Sequence, residues 1–290
     1  MPDKVIYGGQ AVIEGVMMRG PNKVAVAIRL PDGRITTRLQ HAVSWVQKHA
    51  ALGLAFIRGP VSLVEMVVLG IDALLYSAQE GLGEEQLSRT QTILTVAGAL
   101  VFSVLAFIVG PTFVVDFLRR ALDTSSVVLN ILEGVVRIFI LVAYIAAISL
   151  SPEVKRVLEY HGAEHKVINA YEHGATLDPV SVSGYPRFHP RCGTSFLFMV
   201  AFISVLLFST FGWPGIFQRV LLRLGLLPVV AALSYEIIRL AGRRAGTFAK
   251  VVTLPGVWIQ RLTTREPDIS QIEVALEAFK NVAGGFEHAG

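Results

Sequence analysis

Polar and apolar positions follow two different periods along this chain. Residues 24–29 (Val-Ala-Val-Ala-Ile-Arg) and 34–39, with β-branched Ile35, Thr36 and Thr37, flank a Pro31-Asp32-Gly33 turn and predict a β-hairpin. Gly8-Gly9-Gln10 reads as a turn. Between them, Glu14-Gly15-Val16-Met17-Met18-Arg19-Gly20-Pro21 brackets an acid, two methionines and an arginine with residues that suit close backbone approach, or simply leads into the hairpin. Beyond residue 45 the apolar runs lengthen. Residues 50–57 are uncharged, Arg58-Gly59-Pro60 interrupts, and residues 61–78 continue with Glu65 and Asp72 inside. An acid at the centre of an inserted helix costs about 2.5–3.5 kcal/mol, so this stretch predicts an interfacial or re-entrant helix packed on protein. Residues 81–89 form a polar break.

The clear membrane spans follow. A crossing takes about 20 apolar residues. Residues 92–115 meet that length without a charge, and a short loop with Arg119, Arg120 and Asp123 comes next. Residues 127–150 form a second span, in which Glu133 and Arg137 stand one turn apart and are placed to pair. The third span lies within 192–218 and the fourth is 220–240, with Arg223 near its start and Glu236 near its end. The turn at residues 211–215 puts Trp213 at headgroup level. The fold class is therefore mostly α: a polytopic membrane helical bundle of about four spans plus an interfacial or re-entrant helix, with a small N-terminal β-hairpin unit. Residues 1–45 are the hairpin unit and 46–89 the interfacial or re-entrant segment. Residues 90–240 are the bundle, including a polar loop at 151–191. Residues 241–290 hold a basic linker (241–257) and an amphipathic helix over 270–282, opened by a Ser270-Gln271-Ile272-Glu273 capping box.

Composition agrees with the pattern. The chain of 290 residues is 53% hydrophobic and 17% charged. A soluble domain carries about 25% charged residues, and that class is excluded. The net charge of +4 has no interleaved aromatic and basic residues around it, so it points to anionic lipid rather than nucleic acid. A single cysteine, Cys192, rules out an internal disulfide and suits a reducing compartment. Met1-Pro2-Asp3-Lys4 opens no apolar core with a cleavage site, so no signal peptide is expected. Lys155, Arg156, Lys166, Arg187 and Arg191 in the polar loop, and Arg239, Arg243, Arg244 and Lys250 after the last span, outnumber Arg119, Arg120 and Arg219 on the other side. That asymmetry predicts a cell-membrane protein with both termini and the polar loop in the cytoplasm.

The polar loop carries the candidate chemistry. Ser151-Pro152 starts a helix that runs to about His173 and stops at Gly174. Within it, Tyr160-His161-Gly162-Ala163-Glu164-His165-Lys166 holds a His-x-x-Glu-His motif, the inverted form of a zinc-hydrolase signature. Four residues apart, His161 and His165 share a face and can ligate one ion, and Glu164 can position or deprotonate the attacking water. A chance pair of surface histidines is the simpler alternative. Glu172, two turns on, reads as a supporting or unrelated residue. A third ligand would be His189 or Cys192, unless Cys192 is an inert buried thiol. Arg191 and Gly193-Thr194-Ser195 could bind an anion or merely mark the membrane interface. Glu236 would pair with Arg19, Arg191 or the metal, or orient the bundle through a salt bridge.

Four segments resemble the YqhQ-like family of bacterial multi-pass membrane proteins. They are residues 8–21, residues 160–166, His189-Pro190-Arg191-Cys192-Gly193-Thr194-Ser195-Phe196, and Leu262-Thr263-Thr264-Arg265-Glu266-Pro267. The resemblance spans nearly the whole chain and implies a metal-dependent enzyme without naming a reaction. Beyond the five-residue motif, nothing resembles the large soluble fold of inverted zinc peptidases, so their substrates do not transfer.

The sequence thus predicts a metal-dependent membrane enzyme, hydrolytic, with a divalent transition metal such as zinc. His161, His165 and either His189 or Cys192 would be ligands and Glu164 the base or an orienting residue. Glu14, Arg19 and Arg191 would line the site, and a lipid headgroup, a lipid-linked anion or a membrane peptide would be substrate. A homo-oligomer is compatible. The alternative is a non-enzymatic membrane scaffold or biogenesis factor in which the same motifs are joints; transport is a weaker third.

Overall fold

The computed structural model describes residues 5–83, 87–121, 124–243 and 246–284. The N-terminal Met1-Pro2-Asp3-Lys4 segment, residues 84–86 of the polar break, Asp123 and Arg244 lie outside the described residues.

Four strands, β1 (Gly8–Val12), β2 (Gly15–Arg19), β3 (Lys23–Arg29) and β4 (Ile35–His41), form one antiparallel sheet in sequence order. The expected hairpin is β3–β4, with Arg29 opposite Ile35 and Gly33 at a φ of 88°. Gly8-Gly9-Gln10 is not a turn: it is the start of β1, with Gly9 opposite Met18. The glycine there serves packing, since a Cβ on Gly9 would lie 2.5 Å from the Met17 carbonyl oxygen and 3.0 Å from Glu164 Cδ. The β1–β2 turn centres on Ile13 and Glu14, and Glu14 takes a φ of 51° without the Asn-Gly or Asp-Gly signature that marks such turns.

The helices are α1 (Trp45–Lys48), α2 (Arg58–Leu82), α3 (Arg89–Val104), α4 (Gly110–Leu118), α5 (Ser126–Ile148) and α6 (Pro152–Glu172). They continue with α7 (Pro179–Ser183), α8 (Gly193–Ser209), α9 (Ile216–Arg243), α10 (Thr247–Thr263) and α11 (Ile269–Ala283). Alternate residues of the sheet face opposite ways. Val16, Met18, Ala25 and Ala27 pack on α6 and α11, in a core with Tyr160, Ile272, Leu276 and Phe279. Val12, Met17, Val24 and Val26 pack against Ala73 of α2. The sheet is thus a middle layer between helices.

Arg58-Gly59-Pro60 opens α2 rather than breaking it, because proline is tolerated in a helix's first turn. Two of the acids of α2, Glu65 and Asp72, pair with arginines of the sheet. Glu65 pairs with Arg19 at 2.9 Å and accepts from the Ser44 hydroxyl at 2.8 Å, and Asp72 pairs with Arg38. Ser77 accepts the backbone N–H of Ile13 at 3.2 Å. The other side leaves Val64, Val67 and Val68 exposed. The helix thus turns charge toward the sheet and valine outward, and its length and hydropathy are those of a helix that could cross a membrane.

Among the described residues, four helical runs are long and apolar enough to cross a membrane: Arg58–Gly81, Arg89–Ala121, Ser126–Ile148 and Ile216–Gly242. The expected third span is filled by α8, an apolar helix of 17 residues. A wider turn at Leu105–Val109 joins α3 to α4 and frees the Phe107 carbonyl, which accepts Arg137 Nε at 2.9 Å. The expected Glu133–Arg137 pair forms at 2.8 Å. The segment read as a basic linker is instead largely α10; Gly246, Pro255 and Gly256 conceal its periodicity. Gly256 lets α10 approach α8, where a Cβ would come 2.1 Å from Ser195 Oγ. The last helix begins earlier than expected, capped by Asp268 with Gln271 rather than by Ser270 with Glu273.

Candidate metal centre

The sequence starts α6 where expected. Ser151 accepts the Val154 N–H and Pro152 occupies the first turn. Two positions four apart then carry imidazoles on one face, and the rings of His161 and His165 lie 4.4 Å apart. Cys192 caps the start of α8 and brings its Sγ 3.3 Å from His161 Nε2. One ligand atom from each of His161, His165 and Cys192 can be chosen so that all lie within 4.8 Å of one another.

The outer nitrogens of both imidazoles are held by backbone. His161 Nδ1 lies 2.7 Å from the Thr263 carbonyl oxygen and His165 Nδ1 lies 2.6 Å from that of Arg187. A carbonyl oxygen can only accept, so each Nδ1 is the donor, and a neutral ring carries its lone pair on Nε2. Metal-ligating histidines are commonly oriented in this way. Burial pulls the His165 pKa below its ordinary value and favours the neutral ring. Two imidazoles and a thiolate suit a borderline-soft ion such as zinc, with a fourth position left for water or substrate.

His189, the other candidate third ligand, lies outside this group. Its ring is 5.8 Å from that of His165, but Nδ1 accepts the Arg191 N–H at 3.3 Å and Nε2 faces Glu172 at 3.3 Å. Buried Gln260 grips its backbone, accepting from His189 N–H and donating to His189 C=O, each at 2.8 Å. Glu172 also pairs with Arg191, so it ties the end of α6 to the segment just before Cys192. Burial works to raise its carboxyl, yet His189 and Arg191 hold it below the usual range.

Glu164 is 5% exposed and lies against β1, where the backbone N–H of Gly9 bonds its carboxylate. Burial pushes its pKa up, against the opposing pull of His161 and His189. The result is a carboxyl held toward its protonated form on the turn between the two histidines.

Glu14 and Arg19 are not brought to the histidines. Glu14 pairs through both oxygens with Arg156 and receives the Tyr160 hydroxyl at 3.4 Å. Arg19 pairs with Glu65. Glu14, in the β1–β2 turn, and Arg19, on β2, each find an opposite charge on a neighbouring helix, so each ties sheet to helix. Glu236 likewise pairs with Arg58, through contacts of 2.7 and 2.5 Å, and not with Arg19, Arg191 or the cluster.

Several supporting residues escaped the sequence reading. Buried Lys166 donates to the carbonyls of Ser183 and Tyr185 at 2.7 and 2.8 Å and pairs with Glu266 at 2.6 Å. Asn169 donates to those of Pro186 and Phe188 at 2.7 and 3.1 Å. Together with His165 they fix the loop that delivers Cys192. Residues 262–267 have a matching role on the other side. A Cβ on Gly162 would lie 2.1 Å from the Arg265 carbonyl oxygen, and Arg265 N–H bonds Leu158 C=O at 2.8 Å. This contact places the Thr263 carbonyl over His161.

Membrane-length helices, a small sheet sandwiched between helices, and a His-His-Cys cluster at the start of an apolar helix define a multi-pass membrane protein with a candidate metal centre. The chain belongs to the family described as protein of unknown function DUF1385, which it matches over residues 54–284. It is 33% identical over 292 residues to the uncharacterized protein YqhQ of Bacillus subtilis (strain 168), covering 95% of this chain and 92% of that protein. The YqhQ-like resemblance of the four motifs thus extends over 95% of the chain. No solved structure matches.

Proposed function

We propose that this protein is a metal-dependent hydrolytic enzyme of the cell membrane, working where its bundle meets the cytoplasm. His161, His165 and Cys192 hold one divalent transition ion, zinc by donor type. The observation that carries this reading is the pair of Nδ1-to-carbonyl bonds, which aim both lone pairs while Cys192 Sγ closes the triangle. Such an ion supplies Lewis-acid activation of water and of an electrophilic carbonyl or phosphoryl group. Glu164 accepts and returns the proton, a task suited by a carboxyl whose pKa burial raises.

The substrate reaches the site from the membrane. Cys192 directly precedes α8, whose Leu197, Phe202 and Leu206 are exposed and apolar. On neighbouring α10, Phe248, Val251, Leu254 and Trp258 form another exposed apolar stripe. A lipid headgroup or lipid-linked anion fits that setting, and the charge asymmetry of the loops favours the cytoplasmic side for the site and both termini.

Elemental analysis of protein purified without chelator or metal-affinity tag tests the proposal. About one zinc per chain is expected, falling to roughly a tenth or less in Cys192→Ser and in His161→Ala with His165→Ala. Wild-type protein without stoichiometric transition metal would overturn it. One observation favours a second reading, a scaffold or biogenesis factor: the same histidines join α6 to the end of α10 and to the loop before α8. If the double variant fails to accumulate in membranes while wild-type protein holds no metal, the structural role is the correct one.

A further inference from the structure

α2 has the length and hydropathy of a membrane span, yet its packing leaves it no room to cross. The sheet and its β1–β2 turn accompany the helix for most of its length. Contact begins at Glu65, which pairs with Arg19 at 2.9 Å. It continues at Gly70, where a Cβ would meet Gln10, and at Ser77, which accepts the Ile13 N–H. It ends at Gly81, where a Cβ would lie 3.5 Å from that of Glu14. From Glu65 to Gly81 a helix rises about 24 Å, and the stretch before Glu65 adds only about 10 Å. The hydrocarbon is about 30 Å thick, so inserting α2 would carry the sheet in with it. The sheet does not belong there. Arg34 stands exposed beside the β3–β4 turn, and β4 is an edge that pairs with β3 alone among the described residues. Unpaired backbone groups are excluded from hydrocarbon.

Topology gives the same result by a separate route. Arg89–Ala121 and Ser126–Ile148 make two crossings, which return the chain to the side on which Arg89 stands. α6 follows at once and packs on the sheet: Tyr160 and Ala163 share a core with Val16 and Met18, and Arg156 pairs with Glu14. The sheet, α6 and Arg89 therefore lie on one side, and a third crossing by α2 would part the sheet from α6.

The face of α2 turned away from the sheet still needs a cover. Val64, Val67, Val68 and Leu74 are exposed there. Ile57, seven residues before Val64, extends the same helical stripe and is exposed as well. Next to it, Phe56 holds a φ of 68°, costly for a bulky residue, and still exposes its ring. Both ends of α2 meet crossing helices at their margins. Arg58 pairs with Glu236, near the end of the apolar run Ile216–Gly242, and α3 begins at Arg89, close behind Leu82.

We propose that α2 lies flat in the lipid surface on the side of the sheet, with its valine face on the acyl chains and Phe56 inserted beside its first turn. The occupant of this face is lipid because both helix ends are fixed at the level where apolar runs enter the bilayer. The inference does not depend on the metal centre.

Nitroxide depth measurements test it. The chain has one cysteine, so in a Cys192→Ser background Val64→Cys, Val67→Cys and Leu74→Cys each take a single spin label. The full-length protein is reconstituted in liposomes of phosphatidylcholine and phosphatidylglycerol. All three labels should be relaxed more by oxygen than by a water-soluble nickel chelate, at one shared depth about 5–10 Å into the headgroup and acyl boundary. A change in depth of about 15 Å between positions 64 and 74, the rise of ten helical residues, would mean a crossing and overturn the proposal. Stronger relaxation by the chelate, as in water, would overturn it too, and so would low access to both agents, the mark of a protein partner. Labelling from either side of the membrane decides the matter if the Cys192→Ser background does not fold. With Cys192 retained as background, Val43→Cys and Leu87→Cys flank α2 at exposed positions. In sealed vesicles both should react with a membrane-impermeant maleimide from the same side as Lys280→Cys on α11. Reaction of the two from opposite sides would overturn the proposal.

Discussion

Gly162 is where two distant parts of the chain nearly touch. A methyl group there meets the Arg265 carbonyl, which is backbone and cannot swing aside. Gly162→Ala should therefore destabilise the protein by about 1–3 kcal/mol, the usual range for overpacking, and lower metal retention by displacing Thr263 from His161. Thermal unfolding and metal content measured on one preparation check both effects. Arg19 provides a second test. Glu65 is 4% exposed, so Arg19→Met strands a buried carboxylate and should cost about 3–5 kcal/mol. Arg19→Met with Glu65→Leu should recover much of that loss in denaturant unfolding. At this scale the side chains with recognisable chemistry were legible: His161, Glu164, His165 and Cys192 stand in short motifs. The groups that orient the imidazoles were not, because the carbonyls of Thr263 and Arg187 belong to backbone and leave no residue-type signature. Glu14 and Arg19 resemble site residues in sequence because a motif does not reveal whether its charges serve chemistry or assembly.

Helices with unbroken apolar runs, and α6 with its Ser-Pro start, could be read from pattern alone. β1 and α10 could not. Two glycines hide the first, and proline and glycine inside the second mimic a linker, although packing against Glu164 and Ser195 requires Gly9 and Gly256. For α11 the existence was clear and the cap was misplaced by two residues, since Asp268 and Ser270 are both good capping types. Asp268→Ala should cost about 1 kcal/mol by removing the cap. Burial acts to raise the Asp268 carboxyl, but the Ser270 hydroxyl and backbone N–H groups hold it below its usual value. Its contribution is therefore complete above the ordinary aspartate pKa of about 3.9 and is lost as pH falls through the lower folded value. Wild type and variant should converge in stability under acid, which a pair of melting series at several pH values would reveal.

Across the whole molecule, hydrophobic patterning announced a membrane bundle, while the layering of the N-terminal sheet between α2 on one side and α6 and α11 on the other was beyond its reach. Contacts between residues so far apart in sequence leave no local period. The cluster draws on three remote stretches in the same way. A bound ion would therefore stabilise the assembly as a unit by favouring the folded state. Zinc added to metal-stripped protein should raise the melting midpoint of wild type and leave Cys192→Ser unmoved. Phe279→Ala tests the sheet layer independently. Phe279 is fully buried against Tyr7 and Tyr171, and its truncation should cost about 3–5 kcal/mol without removing a ligand.

The strands are synthesised more than 200 residues ahead of the helix that covers one of their faces, with Ile272, Leu276 and Phe279 closing the core over Val16 and Met18. At about 5–20 residues per second, ribosomal elongation leaves this sheet half-dressed for on the order of tens of seconds. During that interval its uncovered methionines and valines are open to other nascent chains or to a chaperone, while the spans between are already entering the bilayer. The apolar helices between are thus all made before the lobe built on the sheet can close.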